Sequence, residues 1–238
     1  MNRLLVYSGR RALGRALDAL IPPHCLCCEQ PAHPRLGLCA GCYRDLPRHR
    51  AACRWCAAPV PAPGFLCPRC QARPPWFSRV IAPWPYAEPL DHCIRGLKYH
   101  GQLAAGRMLG ELLARARRQH DACVDAVVPL PLHTTRLRER GFNQATEIAR
   151  PVAARLDLPL RPDWLHRERA TPSQSGLDRR RRRRNIRRAF RAATIPSGCR
   201  VALVDDVVTT ASSVDEAARA LRRAGAREVE VWAPARAP

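Results

Sequence analysis

Short apolar runs alternate with amphipathic stretches through the second half of the chain. Val201-Ala202-Leu203-Val204, followed by Asp205-Asp206 and Val207-Val208, is short and β-branched, the pattern of a parallel strand buried on both faces. Asp125 to His133 reads as a second buried strand ending in a proline-stiffened loop, and Arg227 to Ala233 as a final alternating strand. Helical periodicity covers Leu103 to Arg118, the stretch from Asn143-Gln144 to about Leu156, and Ala217 to Ala224, where Gly225 ends it. Ser213-x-x-Glu216 has the form of a capping box for the last helix. Strands separated by helices predict an α/β fold, a doubly wound, mostly parallel sheet with its ligand at the carboxyl ends of the strands. Residues 3 to 21 read as an amphipathic helix with Leu13, Leu17, Leu20 and Ile21 on one face. Its expected role is to pack that stripe on its own domain rather than to lie on a membrane.

Charge changes the picture. The 238 residues carry a formal net charge of +21, a field that favours polyanions and phosphorylated substrates. All but one of the 41 basic residues are arginine. Compositional bias explains arginine in place of lysine, but not the excess of base over acid. The exception, Lys98 in Leu97-Lys98-Tyr99-His100-Gly101, suggests a place where a compact ammonium bonds phosphate and a planar guanidinium does not fit. No secretory signal or membrane span is visible, so a cytoplasmic location is expected.

The chain holds twelve cysteines, and in a reducing compartment clustered cysteines bind metal. Cys25-x2-Cys28, Cys39-x2-Cys42, Cys53-x2-Cys56 and Cys67-x2-Cys70 recur with a period of 14 residues. Eight such thiolates make two Cys₄ sites for structural Zn²⁺. Sequential pairing resembles a double zinc ribbon; cross-brace pairing has the same spacing. Disulfides are the competing use. Cys27 reads as a spectator, and Cys93, Cys123 and Cys199 as packing residues. Prolines between Pro59 and Pro85 exclude long helices there, so this region's fold is expected to rest on metal rather than on a core. The expected divisions are an N-terminal helix at 1–21, a zinc module at 22–72, a linker at 73–80 and an α/β domain at 81–238.

A strand, a tight loop of small residues and a helix N-terminus form an anion site. The segment from Val201 to Ser213 resembles the phosphoribosyl pyrophosphate motif of type I phosphoribosyltransferases. That resemblance implies that Asp205 and Asp206 contact the ribose, and that Thr209, Thr210, Ala211, Ser212 and Ser213 wrap the 5′-phosphate. Ala211 departs from the pattern, standing where glycine is usual. A Cβ there costs about 1 kcal/mol if the loop needs positive φ. No residue announces itself as a catalytic base.

The run from Pro131-Leu132-His133 to Arg140-Gly141-Phe142-Asn143-Gln144, with Leu97-Lys98-Tyr99, the cysteine turns and the Asp-Asp loop, resembles the ComF family. These are competence proteins of DNA uptake and their relatives, a zinc module fused to a domain of the type I phosphoribosyltransferase type. The family pattern is matched at His133, Arg140, Gly141, Asn143 and Gln144. It continues at Gln174, Leu177, Arg182 and Asn185, in the region that forms a hood over the substrate in phosphoribosyltransferases. Residues 161 to 191 hold twelve arginines against three acids. Arg179, Arg180, Arg181, Arg183, Arg184, Arg187 and Arg188 are the candidates for contacts with a nucleic-acid backbone. Trp164 and Phe190 are the only aromatics there for stacking on a single strand.

The favoured function is therefore an adaptor in natural transformation that binds single-stranded DNA and retains a phosphoribosyl pyrophosphate pocket. Its further partner would be a competence helicase or a recombination mediator. The alternatives are an active phosphoribosyltransferase using Mg²⁺ with phosphoribosyl pyrophosphate, and a role in sugar-acid utilisation.

Overall fold

The computed structural model describes residues 23–34, 36–118, 123–169, 186 and 188–238. The N-terminal helix expected at 1–21 lies outside them, as do Gln174, Leu177, Arg182, Asn185, Arg179 to Arg184 and Arg187. Four parallel strands form the main sheet: β1 (Arg79–Ile81), β3 (Ala126–Pro129), β6 (Arg200–Val204) and β8 (Glu228–Trp232), in the order β1-β8-β6-β3. Alternate residues of these strands enter opposite cores, as a pleat requires. Val127, Ala202, Val204 and Trp232 pack with α3 (Leu90–His100), α4 (Leu103–Arg117) and α6 (Gln144–Leu156). Val128, Val201, Leu203, Val229 and Val231 pack with α7 (Ser212–Arg223) through Val214, Ala217, Ala218 and Leu221. Helices on both faces of a parallel sheet give the doubly wound α/β fold that the strand pattern predicts.

The run from Val201 to Val208 is not one strand. It breaks at Asp205-Asp206, and β7 (Val207–Val208) joins β2 (Trp84–Pro85) and β9 (Ala235–Arg236) in a second parallel sheet ordered β2-β9-β7. This order repeats that of β1, β8 and β6, so each of those strands kinks and continues into the smaller sheet. The break follows from the side chains. Asp206 N–H donates to Asp205 Oδ1 and Val207 N–H to Asp206 Oδ1, each at 2.8 Å, so the carboxylates take up amides near the break. β8 also departs from simple alternation, being buried on both faces at the centre of the sheet. Its Glu230 is held by Arg79 at 2.9 Å, by Trp232 Nε1–H at 2.8 Å and by Arg117, whose guanidinium covers the Trp232 ring.

Several boundaries differ from expectation. β1 takes in Arg79 and Val80 of the expected linker, because Val80 N–H donates to the Trp55 carbonyl and ties the zinc module to the sheet edge. Leu90 to His100 is itself a helix, with Leu90, Cys93, Ile94 and Leu97 on its buried face. Thr134–Arg140 forms a further short helix, α5, and β4 (Leu165–Arg167) pairs antiparallel with β5 (Phe190–Ala192). Trp164 and Phe190 are both buried, under Arg161 and Arg167, which removes them as stacking platforms. The capping box is absent. α7 starts at Ser212 with Ala211 as its N-cap, so Ser213 lies inside the helix, and Glu216 instead accepts from Arg188 N–H at 2.6 Å. Ala211 has φ +55° and is buried, so the loop does impose the left-handed conformation that favours glycine.

The zinc module does not stand apart from the hydrophobic core. Cys25, Leu36, Leu38 and Leu46 enter the core on the α3–α4–α6 face, and Cys53, Cys56, Cys67, Cys70 and Phe77 enter the core on the α7 face. The expectation that this region rests on metal alone fails, because the sheet domain supplies apolar surface that the short turns lack. A close crossing holds α4 to α6: a Cβ on Gly110 would meet the Ile148 carbonyl oxygen and the Pro151 ring. Gly110→Ala should therefore destabilise the protein by about 2 kcal/mol through overpacking. An exposed helical glycine would gain up to about 1 kcal/mol from the same change. Unfolding followed by circular dichroism distinguishes the two signs.

Candidate functional site

The eight repeated cysteines gather into two sets, Cys25, Cys28, Cys39 and Cys42, and Cys53, Cys56, Cys67 and Cys70, with all four sulfurs of each set within 4.8 Å of one another. The pairing is sequential, and the cross-brace alternative is excluded. Cys28 and Cys39 sulfurs lie 3.6 Å apart, and Cys56 and Cys67 sulfurs 3.5 Å apart. A tetrahedron with Zn–S bonds of about 2.3 Å has edges of about 3.8 Å, so both sets fit zinc. None of the described cysteines forms a disulfide. The thiols of each set differ: burial raises Cys42, Cys56 and Cys70, whereas Cys25 and Cys53 are lowered. Burial alone would push the Cys25 thiol up, yet backbone hydrogen bonds from Cys39, Cys27 and Cys28 hold it down to about 6. Burial is likewise overcome at Cys53, held at about 7 by the backbone of Cys56, Cys67 and Trp55. Four ligands per site leave no open position, the arrangement of structural zinc. Cys27 is not a bare spectator, since its sulfur lies 3.7 Å from that of Cys93 on α3.

The second site forms where β6 ends. Asp206 is buried and Asp205 partly so. Burial first, and the neighbouring Asp206 carboxylate second, push the Asp205 carboxyl well above the usual carboxylate range. Lys98, projecting from α3, places its Nζ 2.9 Å from Asp206 Oδ2. Burial lowers the affinity of Lys98 for its proton, but the Asp206 charge more than restores it, so the ammonium is firmly held. Lys98 thus meets an acid of the same site, a contact that neither its uniqueness nor its local sequence pointed to. One further cation, Arg167, lies close enough to feel Asp205. Arg167 on β4 is held below its ordinary basicity by burial and by Arg136 on α5, while Asp205 acts in the opposite sense. Arg136 lies in the stretch from His133 to Gln144, whereas the place of Arg167 depends on the β4–β5 pairing, which no local pattern reports.

From the acids the chain runs through Thr209 and Thr210 to Ala211, Ser212 and Ser213 at the start of α7, with Thr210 Oγ1 3.2 Å from Ser212 Oγ. Free N–H groups of a first helical turn and several hydroxyls suit a phosphate. The family-pattern residues of the preceding loop do scaffold work. His133 Nδ1 accepts from Thr135 N–H at the start of α5, and Gly141 ends that helix at φ +80°. Asn143 caps α6 through Ala145 N–H and donates to the Leu130 carbonyl at 3.0 Å. Buried Gln144 accepts from Arg140, whose guanidinium lies 6.0 Å from the ring centre of exposed Tyr99. Arg188 is the one nucleic-acid candidate among the described residues, and it is exposed.

An α/β domain of parallel strands with an acid pair before a hydroxyl loop, joined to two Cys₄ sites, defines a zinc-ribbon protein of the phosphoribosyltransferase type. Residues 16–73 match the double zinc ribbon domain and residues 143–238 the phosphoribosyl transferase domain. The chain is 35% identical over 218 residues to the DNA utilization protein YhgH of Salmonella typhimurium, covering 89% of this chain and 96% of that one. It is 32% identical over 222 residues to competence protein F of Haemophilus influenzae, covering 90% and 96%. The chain belongs to the ComF family. Among solved structures, glutamine phosphoribosylpyrophosphate amidotransferase from B. subtilis matches 53% of this chain and 25% of its own, with 24% identity and a TM-score of 0.37. No helix among the described residues is long and apolar enough to cross a membrane.

Protein purified without chelator should carry two zinc ions by elemental analysis. Cys56→Ser should lose one of them and also lower the stability of the sheet domain, because that site shares its core. A second expectation concerns Lys98. Lys98→Met strips the cation from a buried carboxylate and should cost about 3 kcal/mol. Asp206→Asn in the same chain should recover most of that loss, as read by denaturant unfolding of both single variants and the double.

Proposed function

We propose that this protein acts in DNA uptake, binding single-stranded DNA through its arginine-rich segment and a phosphoribosyl pyrophosphate-type ligand at the end of β6. The observation that carries the reading is the convergence at one strand end of the Asp205–Asp206 pair, Lys98 and the loop from Thr209 to Ser213. The names of the relatives, competence protein F and DNA utilization protein, support the biological setting. Asp205 and Asp206 hold the vicinal hydroxyls of a ribose, and the loop holds its 5′-phosphate. Lys98, Arg136 and Arg167 offset the charge of a diphosphate beside the acids. The acids are oxygen donors of the kind Mg²⁺ takes, and a metal held there would further offset diphosphate charge.

The DNA path is assigned to Arg179, Arg180, Arg181, Arg183, Arg184, Arg187 and Arg188, with a helicase or recombination mediator downstream. An active phosphoribosyltransferase is the second reading, favoured by the cations that surround the acids.

The two activities load different residues. Replacing Arg180, Arg181, Arg183 and Arg184 by serine should weaken binding of a random oligonucleotide. It should also flatten the salt dependence, by about 0.7 in slope per lost phosphate contact. Phosphoribosyl pyrophosphate affinity should remain. Asp205→Asn with Asp206→Asn should do the reverse. Transformation assays then rank the two sites. Failure of the arginine variant alone supports the adaptor, and failure of the acid variant alone supports a catalytic or sensing pocket. Normal transformation in both refutes the uptake role.

A further inference from the structure

Of the twelve cysteines, eight make up the two Cys₄ sets, which leaves Cys27, Cys93, Cys123 and Cys199. Cys27 has the least ordinary place. It sits inside the turn Cys25-Leu26-Cys27-Cys28, at the position that Gly41, Trp55 and Arg69 take in the other three turns. A tetrahedral site calls for no third sulfur there, because Cys25 and Cys28 already supply that turn's two ligands. The other two ligands come from the start of α1 (Ala40–Arg44), as Cys67 and Cys70 of the second set come from the start of α2 (Pro68–Ala72). Cys27 turns instead toward α3, where its sulfur lies 3.7 Å from that of Cys93, 66 positions further along the chain. Cys93 is buried on the packed face of α3 beside Leu90, Ile94 and Leu97, whereas Cys27 is half-buried. Cys123 is exposed, and Cys199 faces Asp125.

The two zinc sites differ in their cover. All four cysteines of the second set are buried, but in the first set Cys28 is exposed and Cys39 and Cys42 are partly so. Exposed thiolates are the ones that oxidants reach. The extra sulfur pair lies at the exposed site. A disulfide holds its sulfurs about 2.05 Å apart, so Cys27 and Cys93 must close by about 1.7 Å, within what a change of cysteine rotamer supplies. With hydrogen peroxide as oxidant, the Cys27 sulfur attacks one oxygen, the O–O bond breaks, and Cys27 becomes a sulfenic acid with release of water. The Cys93 sulfur then displaces the sulfenic oxygen, which takes the Cys93 proton and leaves as a second water. Two thiols and one peroxide give one disulfide and two waters, with one electron lost by each sulfur and the pair gained by the peroxide oxygens. Bonding of Cys27 to Cys25 or Cys28 would break a metal–thiolate bond, whereas Cys93 belongs to neither Cys₄ set. We propose that Cys27 and Cys93 form a reversible disulfide that takes up oxidising equivalents beside the first zinc site and spares its ligands. The bond ties the zinc turn to α3 across the core that Cys25, Leu36 and Leu38 already share with that helix.

The test treats the full zinc-replete chain with a small excess of hydrogen peroxide, alkylates the remaining thiols in denaturant and maps the peptides by mass spectrometry. A cross-linked Cys27–Cys93 peptide should appear, with both zinc ions still bound by elemental analysis before denaturation. A phosphine reductant should restore both thiols. In Cys93→Ala, peroxide should release zinc from the first site several-fold faster, because oxidised Cys27 is left with only ligand sulfurs to bond. Should Cys93→Ala fail to hold two zinc ions before treatment, Cys27→Ala at the half-buried partner carries the same expectation, since the ligands then meet the oxidant first. A bond from Cys27 to Cys25 or Cys28 overturns the proposal, as does zinc loss that accompanies the Cys27–Cys93 bond. Equal rates of zinc release in the parent chain and the zinc-replete variant overturn it too. So does a bridge between two chains through Cys123, read as a dimer on a non-reducing gel, that forms in place of the internal bond.

Discussion

The contact between Lys98 and Asp206 joins two parts of the chain that are distant in sequence. A carboxylate buried at the end of a central strand is tolerable only with a cation and hydrogen-bond donors close by. Lys98 meets the first need from α3, and the backbone amide of Val207 meets the second. Because the acid is satisfied, β6 can stop at Val204, turn through Asp205-Asp206 and resume as β7 in a second sheet. The same turn aims the following loop at the first turn of α7. The ion pair and the amide contacts of the two acids thus act together at the break in the strand.

The zinc module is bound to this framework by packing rather than by a tether. Each Cys₄ set enters a different core, one on each face of the sheet, and β1 leaves the module directly as an edge strand. Metal and core are complementary here. Short proline-rich turns cannot bury enough surface by themselves, so thiolate–metal bonds fix their geometry and the sheet domain provides the apolar contact. Burial also concentrates charge. Arg236, the Cys56 carbonyl and the thiolates of the second site lie together beside the hydroxyl loop, so the module shapes the ground next to the ligand site.

A similar division of labour runs through the stretch from His133 to Gln144. Its residues form caps, a left-handed glycine turn and a buried amide–guanidinium contact, which together fix the angle between α5 and α6. Their neighbour Arg136, on the same short helix, lies close enough to Arg167 to lower its basicity. A conspicuous string of residues can therefore matter because it sets backbone geometry, while a less conspicuous one carries the charge.

The sequence by itself determined what depends on local spacing. The cysteine period picked out the eight residues that gather into two Cys₄ sets, the β-branched run before Asp205-Asp206 marked a buried parallel strand, and the hydroxyl-rich loop marked the start of an amphipathic helix. The left-handed Ala211 was also legible, because only the loop geometry of its pattern demanded positive φ. Tertiary structure decided what depends on distance through space. Which cysteine turns share a metal, that Lys98 faces Asp206, that Trp164 and Phe190 are core residues and that β8 lies between β1 and β6 all follow from packing of segments far apart in the chain. Ser213 and Glu216 show the same limit on a small scale. Their spacing fits a capping box, but the left-handed Ala211 starts α7 two residues earlier, and Arg188 from β5's approach takes the Glu216 carboxylate. Periodicity reports which face of an element is apolar; which other element covers it is settled only when the whole chain competes for that face.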